Sequence, residues 1–318
     1  MRYDSEYAQL ELSAEELAGA VSALGLGLGA LAPARLAAGS PQAQRAFEDG
    51  LAVLPDEARD LLEAMLDVLA DPERSLKLAA TAGESHLHRA VYAWRGDACA
   101  MLASRSGTNV LARAEAADAS AAILTPLLGN GPDVAIGPEL ELDGRAVLAF
   151  VAAADALRFA RLRSLAIHSP LPQSLTAADV TARLADSMLD DPRWSTNLYA
   201  SVLPFDPAGF MDQPTVELAL GRLATANLFG VTEADGTMPA YYHPTDEALV
   251  TLDAIAEADG RVAFTLFEKR ADALAYESML LARGRYLSVA VSLSPDGAGI
   301  TQTTVESVAA LAGRVSDG

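Results

Sequence analysis

The chain has 318 residues, and its 43 acidic against 23 basic residues give a formal net charge of −20 at pH 7. Hydrophobic residues make up 51% of the sequence, which excludes an intrinsically disordered protein despite the charge. The acidity argues against a nucleic-acid-binding protein, because such proteins contact phosphates through Lys and Arg. A single cysteine excludes an internal disulfide and a cysteine-based zinc site, and it favours a reducing compartment.

Length and hydropathy predict a cytoplasmic protein of about two domains. Residues 1–7 are acidic and polar, unlike the basic start and apolar core of a signal peptide. The longest apolar stretch, Ala146 to Ala154, has nine residues, whereas about 20 are needed to span a bilayer. We therefore expect no membrane insertion.

The first half of the chain predicts three helices, four short strands and a closing helix. Ser13 and Glu16 have the spacing of a capping box at the start of the first helix. Ser40-Pro41 and Pro55-Asp56 begin the second and third helices. The strands are predicted at 75–78, 87–94, 98–103 and 109–113, and the closing helix at about 118–128.

The second half repeats this order after a Gly- and Pro-rich joint at 129–138 and a helix predicted over 144–163. Thr176 caps its first helix and takes the place that Ser13 has in the first half. The other elements are helices at 214–227, from Thr245 and at 305–315, and strands at 262–267, 276–281, 286–293 and 299–303.

Matching segments of the two halves lie at a nearly constant distance in the sequence. Asp56-Glu57-Ala58 matches Asp246-Glu247-Ala248 at an offset of 190, and Arg95-Gly96 matches Arg283-Gly284 at 188. A constant offset is typical of a diverged duplication, although alternating helical and strand segments could also arise by chance.

We therefore predict an α+β fold of two tandem related repeats with pseudo-twofold symmetry. Each repeat contains a three-helix, winged-helix-like part, a small antiparallel sheet and a closing helix. The predicted boundaries are 1–130 for the first repeat, 131–173 for a linker with a helix, and 174–318 for the second repeat.

The sequence predicts a winged-helix-like segment over residues 174–258, within the second repeat. The helix over 214–227 is followed by a candidate hairpin over 231–242, with Asp235-Gly236 at its turn, and then by the helix at Thr245.

The charges of this segment do not favour DNA binding. The would-be recognition helix has one base, Arg222, and one acid, Glu217. The wing carries Glu233 and Asp235, which repel phosphate.

His86 and His88 have the spacing of two metal ligands on one face of a strand, with Glu84 on the same face. A zinc site needs at least three protein ligands. Two histidines on the solvated face of an antiparallel sheet explain the pattern equally well, so no metal site is assigned.

The other candidate sites have structural explanations. The run Gly25 to Gly29 follows a helix, and its third glycine comes one position too early for a dinucleotide-binding loop. Cys99 lies in an apolar strand, which predicts a buried and unreactive thiol. No Gly-x-Ser-x-Gly motif occurs, so we assign no catalytic or cofactor-binding residue and expect a protein that is not an enzyme.

The loop Asp190-Asp191-Pro192-Arg193-Trp194 is the most distinctive in the chain. An exposed Trp194 would form a binding patch, whereas packing of its indole ring into the core is the alternative. The residues expected to share this patch are Phe205, Phe210 and Met211.

The run from Arg89 to Leu102 has a strand–Arg-Gly-Asp–strand form, and the helix at 117–128 follows it. With the capped helix that follows Leu12, this resembles the first half of EspG-type proteins, the cytosolic chaperones of actinobacterial type VII secretion. The resemblance covers about residues 10–130 and assigns no binding residue. It implies a pseudo-twofold α/β architecture and the binding of secreted helical-hairpin substrates without catalysis.

The leading hypothesis is a cytoplasmic chaperone or adaptor that binds a protein partner. The first alternative is a winged-helix regulator that senses a ligand or a protein. The second alternative is an enzyme with an unrecognised site near His86 and His88.

Overall fold

A computed structural model describes residues 1–82, 86–105, 107–127, 140–189, 191–232, 239–271, 273–285 and 287–317. Within these ranges the helices are α1 (Ala14–Ala23), α2 (Pro41–Ala52), α3 (Asp56–Ala70), α4 (Ala116–Leu124), α5 (Gly144–Ala166), α6 (Ala177–Ala185), α7 (Ser195–Ala200), α8 (Pro207–Phe210), α9 (Gln213–Thr225), α10 (Asp246–Ala256) and α11 (Val305–Asp317). The strands are β1 (Arg2–Asp4), β2 (Gln9–Leu12), β3 (Arg74–Ala82), β4 (His86–Arg95), β5 (Ala98–Arg105), β6 (Thr108–Arg113), β7 (Leu140–Leu142), β8 (Phe229–Thr232), β9 (Tyr241–Pro244), β10 (Gly260–Lys269), β11 (Leu274–Arg283), β12 (Ser288–Ser294) and β13 (Gly297–Thr303).

Side-chain caps fix the starts of several helices, as their sequences indicate. At α1 the hydroxyl of Ser13 accepts a hydrogen bond from the Glu16 amide at 3.1 Å, and the Ser13 amide donates to Glu16 Oε2 at 2.7 Å. This confirms the predicted capping box. Thr176 and Asp179 form the same reciprocal pair at α6. Each pair gives partners to amide groups that the helix itself leaves without one.

Eleven of the described strands form one antiparallel sheet in the order β1-β2-β6-β5-β4-β3-β10-β11-β12-β13-β7. The two predicted groups of four strands meet where β3 pairs with β10, and Lys77 lies opposite Thr265. Read outward from this seam, the strand order matches on both sides, and only β1 has no counterpart. The small sheets predicted for the two repeats are therefore the halves of one continuous sheet, because backbone hydrogen bonds between β3 and β10 join the two groups.

The strands β2 and β7, which pair with the last strands of the two groups, correct one correspondence between the halves. β2 pairs with β6 and leads into α1 through the Ser13 cap, whereas β7 pairs with β13 and leads into α5 through an Asp143 cap. By its place in the sheet, Asp143 rather than Thr176 takes the position of Ser13. The sequence comparison overlooked β7 because a three-residue strand has no readable alternation.

Helix α5, which was expected in a linker over 131–173, belongs to the core. Residues 146–158 of this helix are all buried, and α5 packs against β12, β13, α6, α9 and α10. Residues 128–139, which include the predicted Gly- and Pro-rich joint, lie outside the described ranges. The boundaries at 130 and 174 remain a prediction.

Helices cover both faces of the sheet. On one face α3 packs on β4 to β6, and α10 and α5 pack on β11 to β13. On the other face α4 and α11 lie side by side, and Ser120 Oγ donates to the Ala312 carbonyl at 2.8 Å. Successive side chains of β3 point to opposite faces of the sheet. Leu76 and Leu78 therefore belong to the core under α4 and α11, and Ala79 belongs to the core on the other face.

Strands β8 and β9 form a separate antiparallel pair in which Thr232 lies opposite Tyr241. This pair is the hairpin predicted over 231–242, although residues 233–238, including the expected Asp235-Gly236 turn, lie outside the described ranges. Leu175 forms an isolated bridge with Tyr242. Helices α7 and α8 were not predicted, because six and four residues are too few to display a helical period.

We predict opposite effects for two glycine-to-alanine substitutions. A Cβ atom at Gly19 would lie 2.0 Å from the Ala43 carbonyl oxygen, so Gly19→Ala forces α1 and α2 apart and lowers the free energy of unfolding by about 2 kcal/mol. A Cβ atom at Gly221 of α9 meets no heavy atom within 4 Å, so Gly221→Ala raises the free energy of unfolding by about 0.5–1 kcal/mol. Urea denaturation of both variants measures these changes, and equal effects would contradict the packing of α1 on α2.

Candidate functional site

Helix α5 leaves the core in its last third and exposes an apolar surface. Residues 146–158 are buried on all sides of the helix. Phe159, Leu162, Leu165 and Ile167 are then 42%, 50%, 62% and 65% exposed. We call these four residues the α5 tip. Phe159, Leu162 and Leu165 follow one another at a three-residue spacing on α5, and a group of exposed large apolar side chains is a feature of surfaces that bind another molecule.

Aromatic and cationic contacts hold the base of the α5 tip. The rings of Phe159 and Trp194 meet edge to face with centroids 6.2 Å apart. The Arg183 guanidinium lies 4.5 Å from the Phe159 ring, and the Arg158 guanidinium lies 5.3 Å from the Trp194 ring. Each such cation–π contact contributes about 0.5–2 kcal/mol, so these rings have a fixed orientation.

The Trp194 side chain is half-buried, between the two alternatives that the sequence allowed. Its Nε1 donates to Asp191 Oδ2 at 3.1 Å, and the guanidinium of Arg193 also bonds to that carboxylate. These hydrogen bonds hold the pKa of Asp191 below its usual range, with the Arg193 bond contributing most. Asp190, the first residue of the predicted loop, lies outside the described ranges.

The aromatic residues expected beside Trp194 lie elsewhere. Phe205 packs against Phe210 with centroids 5.5 Å apart, and the Arg145 guanidinium lies 5.1 Å from the Phe210 ring. Arg145 is 14 residues before Phe159 on α5, which corresponds to about 21 Å along the helix. Met211 is buried in the core. A single patch of Trp194 with these residues, one of the two alternatives that the sequence allowed, is therefore excluded, because Trp194 and Phe210 lie at opposite ends of α5.

A buried carboxylate on α5 positions helix α7. Asp155 accepts hydrogen bonds from the backbone amides of Ser195 and Thr196 at 3.2 and 2.6 Å, at the start of α7. Burial raises the pKa of Asp155, whereas the Thr196 hydrogen bonds and the charge of Arg261 lower it. Through these bonds, Asp155 fixes the position at which α7 crosses β3 and β10.

A second surface feature, which we call the sheet groove, lies where α7 ends. The groove has a volume of about 200 Å³ and is bounded by residues 33–35, by β3 to β5 and by Ser201-Val202. Its described lining contains three bases, Arg35, Lys77 and Arg89, and no acid. Lys77 is half-buried, and burial lowers its pKa.

For His86 and His88 on β4, the case for metal binding rests on the sequence alone. His88 is exposed on β4, while Glu84 and the side chain of His86 lie outside the described part of the structure. Among the described residues, no group of three or more His, Cys, Asp and Glu side chains is placed to hold a metal ion. The two interpretations of His86 and His88, as metal ligands or as histidines on a solvated face, therefore both stay open.

Two sequence interpretations are confirmed. Gly25 has a φ of +62° immediately after α1, which is the conformation of a helix terminator. Cys99 is buried on β5 opposite Trp94, and burial, aided by the charge of Asp118, raises its pKa to about 12.

None of the described helices is long and apolar enough to cross a membrane. No family model and no curated protein sequence matches the chain.

The fold is similar to that of a solved structure, the Mycobacterium tuberculosis type VII secretion system chaperone EspG5 in complex with the PE25–PPE41 dimer. The likeness has a TM-score of 0.52 and 12% sequence identity, and it covers 97% of this chain and 96% of that chain. It supports the predicted α+β class and the EspG-like fold. It also extends over both halves, beyond the 10–130 region of the sequence resemblance.

We predict that Cys99 does not react with Ellman's reagent in the folded protein. At about pH 8 the buried thiol stays protonated, and only the thiolate attacks the reagent. One equivalent of thiol is expected to react after unfolding in guanidinium chloride. Rapid reaction of the native protein would show that the environment of Cys99 is open and not apolar.

Proposed function

We propose that this protein is a non-catalytic cytoplasmic chaperone or adaptor. Its partner would be a secreted helical substrate of a type VII-like secretion system. The observation that carries this proposal is the likeness in fold, over nearly the whole chain, to a type VII secretion chaperone that was solved with a bound protein dimer.

The α5 tip supports a protein partner and is the surface that we propose for its binding. Aromatic residues and arginine are enriched at the centres of protein–protein interfaces. Here Phe159 lies against Trp194 and is bordered by Arg183. Arg161 Nη1 donates to Asp253 Oδ1 at 2.6 Å, which anchors the tip to α10 before any partner arrives. A pre-positioned surface loses little conformational entropy on binding.

We also propose that the two halves are diverged copies, with the boundaries that the sequence predicts. The matching order of strands on the two sides of the β3–β10 seam, in which only β1 has no counterpart, supports this duplication. The pair α3 and α10 supports it too, since each helix directly precedes the seam strand of its half.

A winged-helix regulator is the second candidate function. The β8–β9 pair between α9 and α10 favours it, because a hairpin after a helix is the wing of that motif. Arg222, the one base of the would-be recognition helix, forms an ion pair with Asp143 at 2.6 Å. Within the described part of α9 this favours sensing of a ligand or a protein over contact with phosphates.

The test is affinity capture of the tagged full-length chain from its own host, followed by mass spectrometry and light scattering. The proposal expects one secreted helical protein at a defined stoichiometry. A chain that elutes alone with a bound small molecule would favour the regulator instead.

The α5 tip has a matched control elsewhere on the surface. We predict that Phe159→Ser combined with Leu162→Ser reduces partner recovery at least about tenfold, since two interface anchors are lost. Leu218→Ser changes a side chain that is 68% exposed on α9 and is expected to leave recovery unchanged. Equal recovery of the two variants in quantitative mass spectrometry would remove the α5 tip from the proposed interface.

A further inference from the structure

The sheet groove differs in charge from the rest of the molecule. Acids outnumber bases by 43 to 23 in the whole chain. The described lining of the groove reverses this ratio, since it contains Arg35, Lys77 and Arg89 and no acidic residue. A concave site with one sign of charge concentrates ligands of the opposite sign.

The groove also lies where the helices packed on the two halves of the sheet differ. In the second half, α7 lies on β10 and β3, and all six of its residues are buried. Near its C-terminal end, the Tyr199 hydroxyl donates to the Ser278 carbonyl of β11 at 3.4 Å. In the first half, the corresponding stretch lies between α1, which ends at Ala23, and α2, which begins at Pro41. It contains no helix, so none corresponding to α7 lies over β4. The sheet surface at Arg89 and Val91 is left as the floor of the groove.

Lys77 is the cation whose environment is best defined. Its Nζ atom lies 5.0 Å from the centre of the Phe267 ring, and neither an ion pair nor a hydrogen bond joins Nζ to another described residue. Burial lowers the pKa of this amine, which means that the charged form has lost hydration without gaining a carboxylate. A carboxylate brought by a partner would restore that lost stabilisation through a charge-assisted hydrogen bond.

We propose that the sheet groove binds a carboxylate side chain on an acidic helical segment of a protein partner. The segment would lie over β4 as α7 lies over β10, with Lys77 as the anchoring cation. The identity of the partner rests on the proposed function, whereas the carboxylate chemistry rests on the groove alone. Because the rest of the surface is acid-rich, an acidic segment is repelled elsewhere, and the groove thereby sets the register of binding.

The chain provides a matched control because it contains only two lysines. Lys269 is exposed, and its Nζ pairs with Asp71 Oδ1 at 2.9 Å. We predict that Lys77→Met weakens binding of the captured partner about tenfold and reduces its salt dependence, since one ion pair is lost. Lys269→Met is expected to bind as the wild type does. Titration calorimetry at two salt concentrations measures both variants, and circular dichroism checks that each is folded.

A second experiment requires no partner. Reductive methylation with ¹³C-formaldehyde keeps the lysine charge and gives one NMR signal for each lysine. The probe is a synthetic amphipathic helical peptide with glutamates on its polar face, and the control is the same peptide with glutamines. The proposal expects the glutamate peptide to shift the Lys77 signal and leave the Lys269 signal in place, and the glutamine peptide to shift neither. A Lys77 signal that ignores the glutamate peptide, or that responds equally to both, overturns the proposal.

The two experiments separate the groove from the proposed function. If a partner is captured and binds Lys77→Met as tightly as the wild type, the groove proposal fails and the chaperone proposal stands. If no partner is captured but the glutamate peptide shifts the Lys77 signal selectively, the groove binds carboxylates and the chaperone proposal fails.

Discussion

The antiparallel pairing of β3 with β10 is the interaction on which the rest of the structure depends. It runs over nine residue pairs, from Ala82 opposite Gly260 to Arg74 opposite Glu268. Without it, the chain would have two sheets, each with a long open edge able to pair with other molecules. The close fit at one end requires glycine, since a Cβ atom at Gly260 would lie 1.9 Å from the Pro126 carbonyl oxygen.

Further contacts reinforce this seam from both faces. On one face, side chains of α4 and α11 cover Leu78 and Phe264, which lie opposite each other on β3 and β10. On the other face, α7 lies across the same two strands. Near one end, Lys269 forms an ion pair with Asp71, and Arg74 Nη2 donates to the Val315 carbonyl at 3.1 Å. The position of the sheet groove follows from this arrangement, because the groove lies where α7 stops covering the seam.

Features encoded within about 15 consecutive residues could be predicted from the sequence, and features that depend on distant pairing could not. The Ser13 capping box and the buried Cys99 strand are local, and both were predicted. The seam needs hydrogen bonds between residues almost 190 apart, for which no local pattern exists. Likewise, Trp194 meets Phe159 from another helix, and the bases of the groove come from separate segments without a shared motif. The likeness to EspG-type proteins was visible in the first half alone, because the hairpin of β8 and β9 and the long helix α5 have no matching feature in the first half.

The division of α5 into a buried part and an exposed tip has an evolutionary consequence. Residues 146–158 are constrained by packing on every side, so most changes there reduce stability. Leu162, Leu165 and Ile167 contribute far less to the core, and substitutions there have small folding costs. One continuous helix thus joins a segment that must be conserved to a segment that is free to diverge. Under the proposed function, related chains can therefore acquire different partners by changing a few residues of the tip while the same scaffold is retained.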